Sequence, residues 1–145
     1  FILLKQHAQF LNPFDLCVYL VRPLTTTLST GPSSVYSGTL SSSSSTFTRS
    51  GTSGIFYFEA IQVTATVTGL YTFQSGSSMD DYGYLYQISF SASNPGNNIV
   101  TSDDDSGGNA RFMFRANLQA GTTYILIITT YSAGASGSIS VSVSG

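Results

Sequence analysis

Few side chains in this sequence could carry acid–base or nucleophilic chemistry. The chain has one histidine, His7, one cysteine, Cys17, and a single glutamate, Glu59. Such catalysis usually needs a histidine, cysteine, lysine or carboxylate pair held in a pocket. His7 and Cys17 lie in an N-terminal stretch with no plausible partner nearby, and we expect Glu59, in the run FYFEAIQV, to face solvent or an arginine. The sequence therefore predicts that the protein is not an enzyme.

Two acidic turns supply the candidate metal ligands. The run DDDSGG has the D-x-D-x-G beginning of a calcium loop, with carboxylate oxygens and a glycine for the sharp turn. The twelfth position from Asp103 is Phe114, where an EF-hand has a bidentate glutamate, so that motif fails. No cofactor is expected, with calcium as the alternative, and the Asp80–Asp81 turn would supply further oxygens if the fold brings the two turns together. The alternative is that aspartates simply form tight turns. The candidate ligands are Asp80, Asp81, Asp103, Asp104 and Asp105.

Composition excludes several classes of partner. Only 8% of the residues are charged, the net charge is −2, and the five Lys and Arg residues are scattered. Nucleic-acid binding needs a basic stripe that neutralises phosphates, so no nucleic-acid partner is expected. No apolar run reaches about 18 residues, so no membrane span is expected. The single cysteine excludes an internal disulfide, and we expect it to be a small buried apolar residue, with a reactive or intermolecular thiol as the alternative.

Strand signals dominate the chain after residue 34. β-Branched and aromatic residues occur in short runs between Gly, Ser, Asn and Asp clusters, and no apolar period of 3.6 persists. Strands at this spacing predict an all-β fold, an Ig-like or jelly-roll β-sandwich. The predicted strands are residues 35–40, 46–49, 55–67, 69–75, 83–90, 98–102, 111–118, 123–130 and 138–143.

Three stretches predict more specific structure. Residues 138–143 alternate serine with Ile or Val, which indicates a strand with one buried face, whereas residues 123–130 are apolar on both faces, which indicates a central strand. The serine run 41–45 predicts a mobile hairpin loop. The spacing of Leu118, Gly121 and Tyr124 resembles a structural tyrosine corner, in which the hydroxyl bonds to upstream backbone.

The motifs MDDYGYLY and DDDSGG, followed by the corner LQAGTTY, also carry a resemblance to a known family. In this order and spacing they resemble the bacterial pre-peptidase C-terminal (PPC) domain. Closer still are the tandem extracellular modules of the same pattern in large secreted animal proteins, such as those of rotifers. The resemblance covers about residues 34–145. It implies a non-enzymatic extracellular β-sandwich that serves in secretion, adhesion or surface binding.

The run FDLCVYLVRP, residues 14–23, lies outside that resemblance. As a strand, it would be apolar on one face and mostly apolar on the other, and Pro13 and Pro23 would bracket it. Such a strand needs burial on both faces. We therefore predict an N-terminal donor-strand arm at residues 1–24, a linker at residues 25–33 and a β-sandwich domain at residues 34–145.

The strand has two alternative positions. It is either the first strand of its own sandwich or a strand that completes the sandwich of another copy, as in donor-strand complementation. The second position predicts a secreted structural subunit that self-assembles with copies of itself into an extracellular, pilus-like fibril, because a heterologous contact repeats. The predicted donor-strand interface is Phe14, Leu16, Val18, Tyr19, Leu20 and Val21.

Two further functions remain as alternatives. One is an adhesion or carbohydrate-binding module of a larger extracellular or cell-surface protein. Its sugars would be surface glycans stacked on Tyr82, Tyr84 and Tyr86, unless those rings pack within the sheet. The other is an accessory domain of a secreted protease.

Overall fold

The structure, a computed structural model, describes the backbone of residues 16–20 and all of residues 33–145. Regular structure in these two ranges consists of ten β-strands and no helix. None of the described residues forms a helix that could cross a membrane. The strands are β1 (Leu16–Leu20), β2 (Ser33–Leu40), β3 (Ser45–Phe47), β4 (Phe56–Ala65), β5 (Gly69–Ser75), β6 (Asp81–Gln87), β7 (Ile99–Asp103), β8 (Met113–Leu118), β9 (Thr123–Thr130) and β10 (Gly137–Ser144).

The strands form two antiparallel sheets that pack as a sandwich. The six-stranded sheet has the order β1-β4-β9-β6-β7, with β3 also paired to β4. The four-stranded sheet has the order β2-β10-β5-β8. β1 lies beside β2, and β7 lies beside β8, so the two sheets meet along two sides of the sandwich. The predicted all-β sandwich is confirmed.

Alternating side chains fill the space between the sheets. Ile139, Val141 and Val143 of β10 are buried there, whereas the intervening serines face outward, as predicted. β9 is central in its sheet and is buried along both faces, also as predicted. Its inner face contributes to the main core, and its outer face contributes Ile125 and Ile127 to a second apolar cluster with Phe58, Tyr84, Tyr86 and Phe90.

The predicted strands all occur, and those at 69–75 and 123–130 have the predicted bounds. The serine run does not form a hairpin, because β2 and β3 belong to different sheets. A tight turn connects the two sheets there, with the Ser44 amide bonded to the Ser41 carbonyl at 2.9 Å. β2 begins at Ser33, which we predicted to lie in the linker; the remainder of the linker lies outside the described residues.

Hydrogen bonds of tyrosine hydroxyls stabilise two of the connections between the sheets. The Gln119 amide donates to the Tyr124 hydroxyl at 3.1 Å, and Gly121 between them has a φ of +74°, which favours glycine. This is the hydrogen bond of a tyrosine corner, and Leu118 is buried beneath it. A second tyrosine, not predicted from the sequence, stabilises the β4–β5 connection, since the Tyr71 hydroxyl donates to the Val67 carbonyl at 2.8 Å.

Candidate functional site

The N-terminal strand lies on β4, so the edge of β4 is the first candidate site. Residues 58–64 of β4 pair with β9 along one edge. On the other edge, residues 56–58 pair with β3 and residues 61–65 pair with β1. A strand has only two edges, so β1 and β3 share the one that β9 does not use. β1 therefore supplies the pairing for half of a ten-residue strand.

The part of the β4 edge that β1 covers contains residues of the main core. Ile61, Val63 and Ala65 are 0%, 0% and 1% exposed and belong to the main core. The intervening residues Gln62 and Thr64 are partly exposed on the outer face. The register brings every second residue of β1 opposite the buried positions, in the pairs Leu20–Ile61, Val18–Val63 and Leu16–Ala65. The positions that we predicted to share one apolar face are thus opposite core residues.

The structure places β1 on β4 of the same chain, which is the first of the two predicted positions. Four predicted interface residues lie in β1, namely Leu16, Val18, Tyr19 and Leu20, whereas Phe14 and Val21 lie outside the described residues. The same pairing identifies the edge that a strand from another copy would occupy. In this register the single cysteine, Cys17, is opposite Thr64.

On the opposite side of the sandwich, hydrogen bonds to two aspartate carboxylates connect the sheets. Asp81 begins β6 and is fully buried, and its Oδ1 accepts a hydrogen bond from the Phe112 amide at 3.1 Å. Its Oδ2 accepts a hydrogen bond from the Ser75 hydroxyl. Asp103 ends β7, and its Oδ2 accepts a hydrogen bond from the Met113 amide at 2.9 Å. The two aspartates therefore connect the six-stranded sheet to the strand that begins at Met113 in the other sheet.

Burial changes the proton affinity of Asp81. It raises the pKa of this carboxyl above the ordinary value of 3.8, although hydrogen bonds from Ser75, Ser77 and Phe112 and the charge of Arg111 oppose the change. Gly83, on the same face of β6, leaves space for the Phe112 ring, since a Cβ on Gly83 would lie 2.6 Å from that ring. Asp81 is thus a buried structural acceptor.

The acidic turns do not form a metal site among the described residues. No group of three or more His, Cys, Asp or Glu side chains in that part of the chain is arranged to hold a metal ion. Asp103 is occupied by the Ser106 amide at 2.9 Å and the Ser106 hydroxyl at 2.6 Å as well as by Met113. The carboxylate of Asp104 raises the pKa of Asp105, and Asp80 also contributes, so the two turns do lie at one end of the sandwich. The geometry favours aspartates that form turns over calcium ligands.

The three tyrosines of β6 are packed within the sheet rather than presented as a platform. Tyr82 and Tyr84 stack on each other with ring centroids 4.6 Å apart, and the Arg49 guanidinium lies over the Tyr82 ring at 4.6 Å. Tyr86 is fully buried and donates from its hydroxyl to the Pro95 carbonyl at 2.9 Å. Burial raises the pKa of Tyr84 to about 12. Tyr82 and Tyr84 are half-buried and already stack on each other, so the geometry favours packing within the sheet over sugar stacking there.

The burial of Glu59 differs from the exposure that the sequence predicted. It is 6% exposed and shares the buried face of β4 with Ile61 and Val63, instead of facing solvent. It also lies between the stretch of β4 that pairs with β3 and the stretch that pairs with β1. Alternation along the strand could have indicated this, because Glu59 has the same parity as the apolar residues 61, 63 and 65.

Comparisons with known proteins support the fold alone. No protein-family model and no curated protein matches this chain. Among solved structures it is similar to Aeromonas hydrophila PliG, a periplasmic lysozyme inhibitor of g-type lysozyme, with a TM-score of 0.53 and 14% identity over 77% of this chain and 84% of that chain. Both proteins therefore share a β-rich fold, and the resemblance to the pre-peptidase C-terminal domain stays a prediction.

Proposed function

We propose that this protein is a secreted structural subunit that assembles by exchanging its N-terminal strand. The β1 strand of one copy occupies the β4 edge of the next copy, and repetition of this contact makes an extracellular, pilus-like fibril. The observation that carries the proposal is the position of β1: an N-terminal segment covers the half of the β4 edge that opens on the core. The periplasmic location of the similar Aeromonas protein supports export from the cytoplasm.

The direction of the strands supports exchange. β1 is antiparallel to β4 and runs from Leu16, opposite Ala65, to Leu20, opposite Ile61, so it points away from the end where β4 finishes. β2 runs in the same direction as β1, because Ser33 pairs with Ser144, and β10 is antiparallel to β5, which follows the end of β4. Within one chain, the connection between β1 and β2 has to reverse direction. In a head-to-tail pair of copies it can continue forward to the second copy.

The energetic difference between the two arrangements is small. A strand that moves to another copy makes the same backbone hydrogen bonds and buries the same apolar residues as it does in its own sandwich, which is why strand swapping is a low-cost route to assembly. Residues 21–32 can span up to about 40 Å at about 3.3 Å per residue, so both arrangements are within reach. Subunit concentration and the cost of reversing the chain then decide which one forms.

An open chain of subunits follows from this geometry. Each copy has one strand to give and one edge to fill. A contact of this kind is heterologous and continues until it closes into a ring or extends as a filament. Exchange between only two copies would instead give a closed dimer.

A single added cysteine distinguishes these arrangements. The chain has one cysteine, Cys17, and its register partner is Thr64. Directly opposite residues of antiparallel strands have Cα atoms about 4.5–5.5 Å apart, within the range for a disulfide. We expect Thr64→Cys, after oxidation, to give a ladder of covalent oligomers on non-reducing electrophoresis. Gln62→Cys, which lies opposite Tyr19, is the matched control and should cross-link much less.

The electrophoretic pattern decides the proposal. A ladder, together with filaments in electron micrographs of the full chain that disappear when residues 1–24 are removed, would support it. A monomer in which both thiols have been consumed shows that β1 stays in its own sandwich. Dimers alone show a reciprocal exchange and exclude the fibril.

A further inference from the structure

The two ends of the sandwich differ in charge. β4 begins and β9 finishes at one end, which carries the carboxylates of Asp80 and of residues 103–105. At the other end, the connections at residues 66–68, 88–98 and 119–122 contain no charged residue. We call these the acidic end and the uncharged end. Because two acidic ends would bring like charges together, the uncharged end of another copy is the better match for an acidic end.

An apolar patch lies at the acidic end. Ile55 and Tyr131 are 61% and 51% exposed, and they lie on adjacent loops, because the Gly134 amide donates to the Ile55 carbonyl at 2.9 Å. The Arg49 guanidinium lies over the Tyr131 ring at 5.5 Å and donates to the Tyr131 carbonyl at 3.2 Å. Large apolar side chains grouped at a surface are typical of interaction sites. We call this surface the Ile55–Tyr131 patch.

The uncharged end presents one apolar side chain on an unusual backbone. Ile88 is 71% exposed, the highest value among the large apolar side chains that the structure describes. Its φ is +73°, and the Ser89 amide donates to the Gln87 carbonyl at 2.9 Å, which makes Ile88 the central residue of a strained γ-turn. A β-branched residue rarely adopts a positive φ. The turn thus directs an isoleucine outward at a conformational cost.

Hydrogen bonds on both sides keep this turn in place. The Ile88 amide donates to the Thr123 carbonyl at 2.8 Å, and the Gln87 amide donates to the Asn98 carbonyl at 2.9 Å. The Asn98 side chain donates to the Ser89 hydroxyl at 3.2 Å. Strained backbone of this kind persists where its surroundings determine it, and it clusters at binding sites. Ile88 is therefore preorganised for a contact and would lose little conformational freedom on binding.

Strand exchange brings the two features together. β1 and β2 both run from the uncharged end toward the acidic end. A donated β1 therefore points to the acidic end of the copy that accepts it, whereas β2 of the donor starts on the side of the donor's own uncharged end. We propose that Ile88 of the donor packs on the Ile55–Tyr131 patch of the acceptor, a contact between copies that rests on the function proposed above.

This contact suits both surfaces physically. It removes the apolar surface of Ile88, Ile55 and Tyr131 from water, and the uncharged end brings no charge that would have to be desolvated. An exchanged strand joins two copies without fixing the angle between them. A second contact at the ends of the sandwich fixes that angle and gives successive copies the same relative orientation.

A pair of introduced cysteines tests the contact. Ser89→Cys and Ser132→Cys place thiols next to Ile88 and Tyr131, in a chain in which Cys17→Ala removes the native thiol. The 8 residues of β9 separate the two ends by roughly 25 Å, so a disulfide between these positions has to join two copies. We expect oxidation to give a ladder on non-reducing electrophoresis. Chains that stay monomeric, or dimers joined through equivalent positions, would overturn the contact.

Ile88→Gly in the same chain distinguishes a contact residue from a structural one. Glycine adopts a positive φ without steric cost, so the urea midpoint of the chain should not fall. The yield of the ladder should fall at least about fivefold, because the apolar anchor is lost. Ile88→Asn, which also tolerates a positive φ, should act in the same way. Val35→Thr, at an exposed apolar position on the outer face of β2, is the control and should leave the yield unchanged. Unchanged yields from both Ile88 variants would overturn the proposal.

The two proposals fail separately, because each has its own disulfide. A ladder from Thr64→Cys without one from Ser89→Cys and Ser132→Cys would leave strand exchange standing and overturn the end contact. The reverse result would show that the ends meet although β1 stays in its own sandwich, which supports the contact and excludes the exchange. Monomers in both experiments would overturn both proposals.

Discussion

The two sides of the six-stranded sheet are protected in opposite ways, with β1 covering β4 on one side and β7 lying at the edge on the other. β4, without β1, would expose a long edge backed by the fully buried residues Ile61 and Val63. β7, at the other end, is short, and its apolar residues Ile99 and Val100 are 41% and 42% exposed. Native proteins protect sheet edges by shortness, by bulges and by charges. β7 has these protections, whereas β4 depends on another strand.

The protection of β7 is local and needs no additional chain segment. A register irregularity between Leu85 and Tyr86 leaves Val100 unmatched in the pairing with β6, which twists the edge. Asp103 then ends the strand and bonds to Met113 of the other sheet. The difference between the two edges explains why strand exchange is proposed at β4, since an edge that needs a separate strand can accept that strand from either its own chain or a neighbour.

The largest effect that tests this comparison comes from a carboxylate introduced at each of the two positions, one buried and one partly exposed. Val63→Asp should lower the free energy of unfolding by at least about 4 kcal/mol, because it buries an unpaired carboxylate in the core that β1 covers. Ile99→Asp, the same kind of change on β7, should cost less than about 1 kcal/mol because the residue is partly solvated. Urea unfolding of both variants measures the difference.

The contrast would disappear if both edges were equally peripheral. Similar losses for Val63→Asp and Ile99→Asp, or a loss below about 1 kcal/mol for the first, would show that the β4 edge does not open on the core. β1 would then lie on a surface, and its exchange between copies would have little energetic basis.

An intermediate effect is expected from the carboxylate that ends β7. Asp103→Ala removes the acceptor for the Met113 and Ser106 amides and for the Ser106 hydroxyl. We expect a loss of about 1–3 kcal/mol in the free energy of unfolding, since the Met113 amide is left without this bond in a partly buried place. Asp105→Ala, at an exposed position two residues on, is the control and should be nearly neutral. Equal effects would mean that the turn, and not the contact with β8, stabilises this edge.

The strands and their faces could be predicted from sequence because they follow from local alternation. The serines and apolar residues of 138–143 indicate one buried face, and the apolar run 123–130 indicates a central strand, before any partner is known. Sheet membership is not local: the serine run 41–45 has the composition of a hairpin loop, yet β2 and β3 pair with different strands. Pairing depends on residues far along the chain, which composition does not reveal.

The roles of the acidic residues were harder to predict, for the same reason. A carboxylate in a turn, a buried acceptor and a metal ligand share one residue type, and only the third dimension separates them. Asp81 lies within a motif that suggested calcium, but the fold directs it toward Phe112, whose amide is distant in sequence. Glu59 could have been placed by its parity with Ile61, but the rarity of buried glutamate outweighed that signal.

The smallest effect concerns pH and the side of the sandwich that Asp81 closes. Burial raises the pKa of Asp81 in the folded state above its ordinary value of 3.8, so the folded chain binds this proton more tightly than the unfolded chain does. The stabilisation that this tighter proton binding gives the folded state is complete below pH about 4. It is lost as the pH rises through the folded-state pKa. Asp81→Asn keeps an acceptor for the Phe112 amide and removes the titration.

Relative to wild type, the Asn variant should therefore gain stability between about pH 4 and the raised pKa and keep a constant difference above it. Urea unfolding of the two proteins across this range isolates Asp81, because all other groups titrate in both. The opposite slope would mean that the hydrogen bonds from Ser75, Ser77 and Phe112 outweigh the cost of burial. The charged carboxylate would then stabilise the Asp81 side of the sandwich. That side would depend on hydrogen bonds to an ionised group, whereas the β4 side depends on an apolar strand.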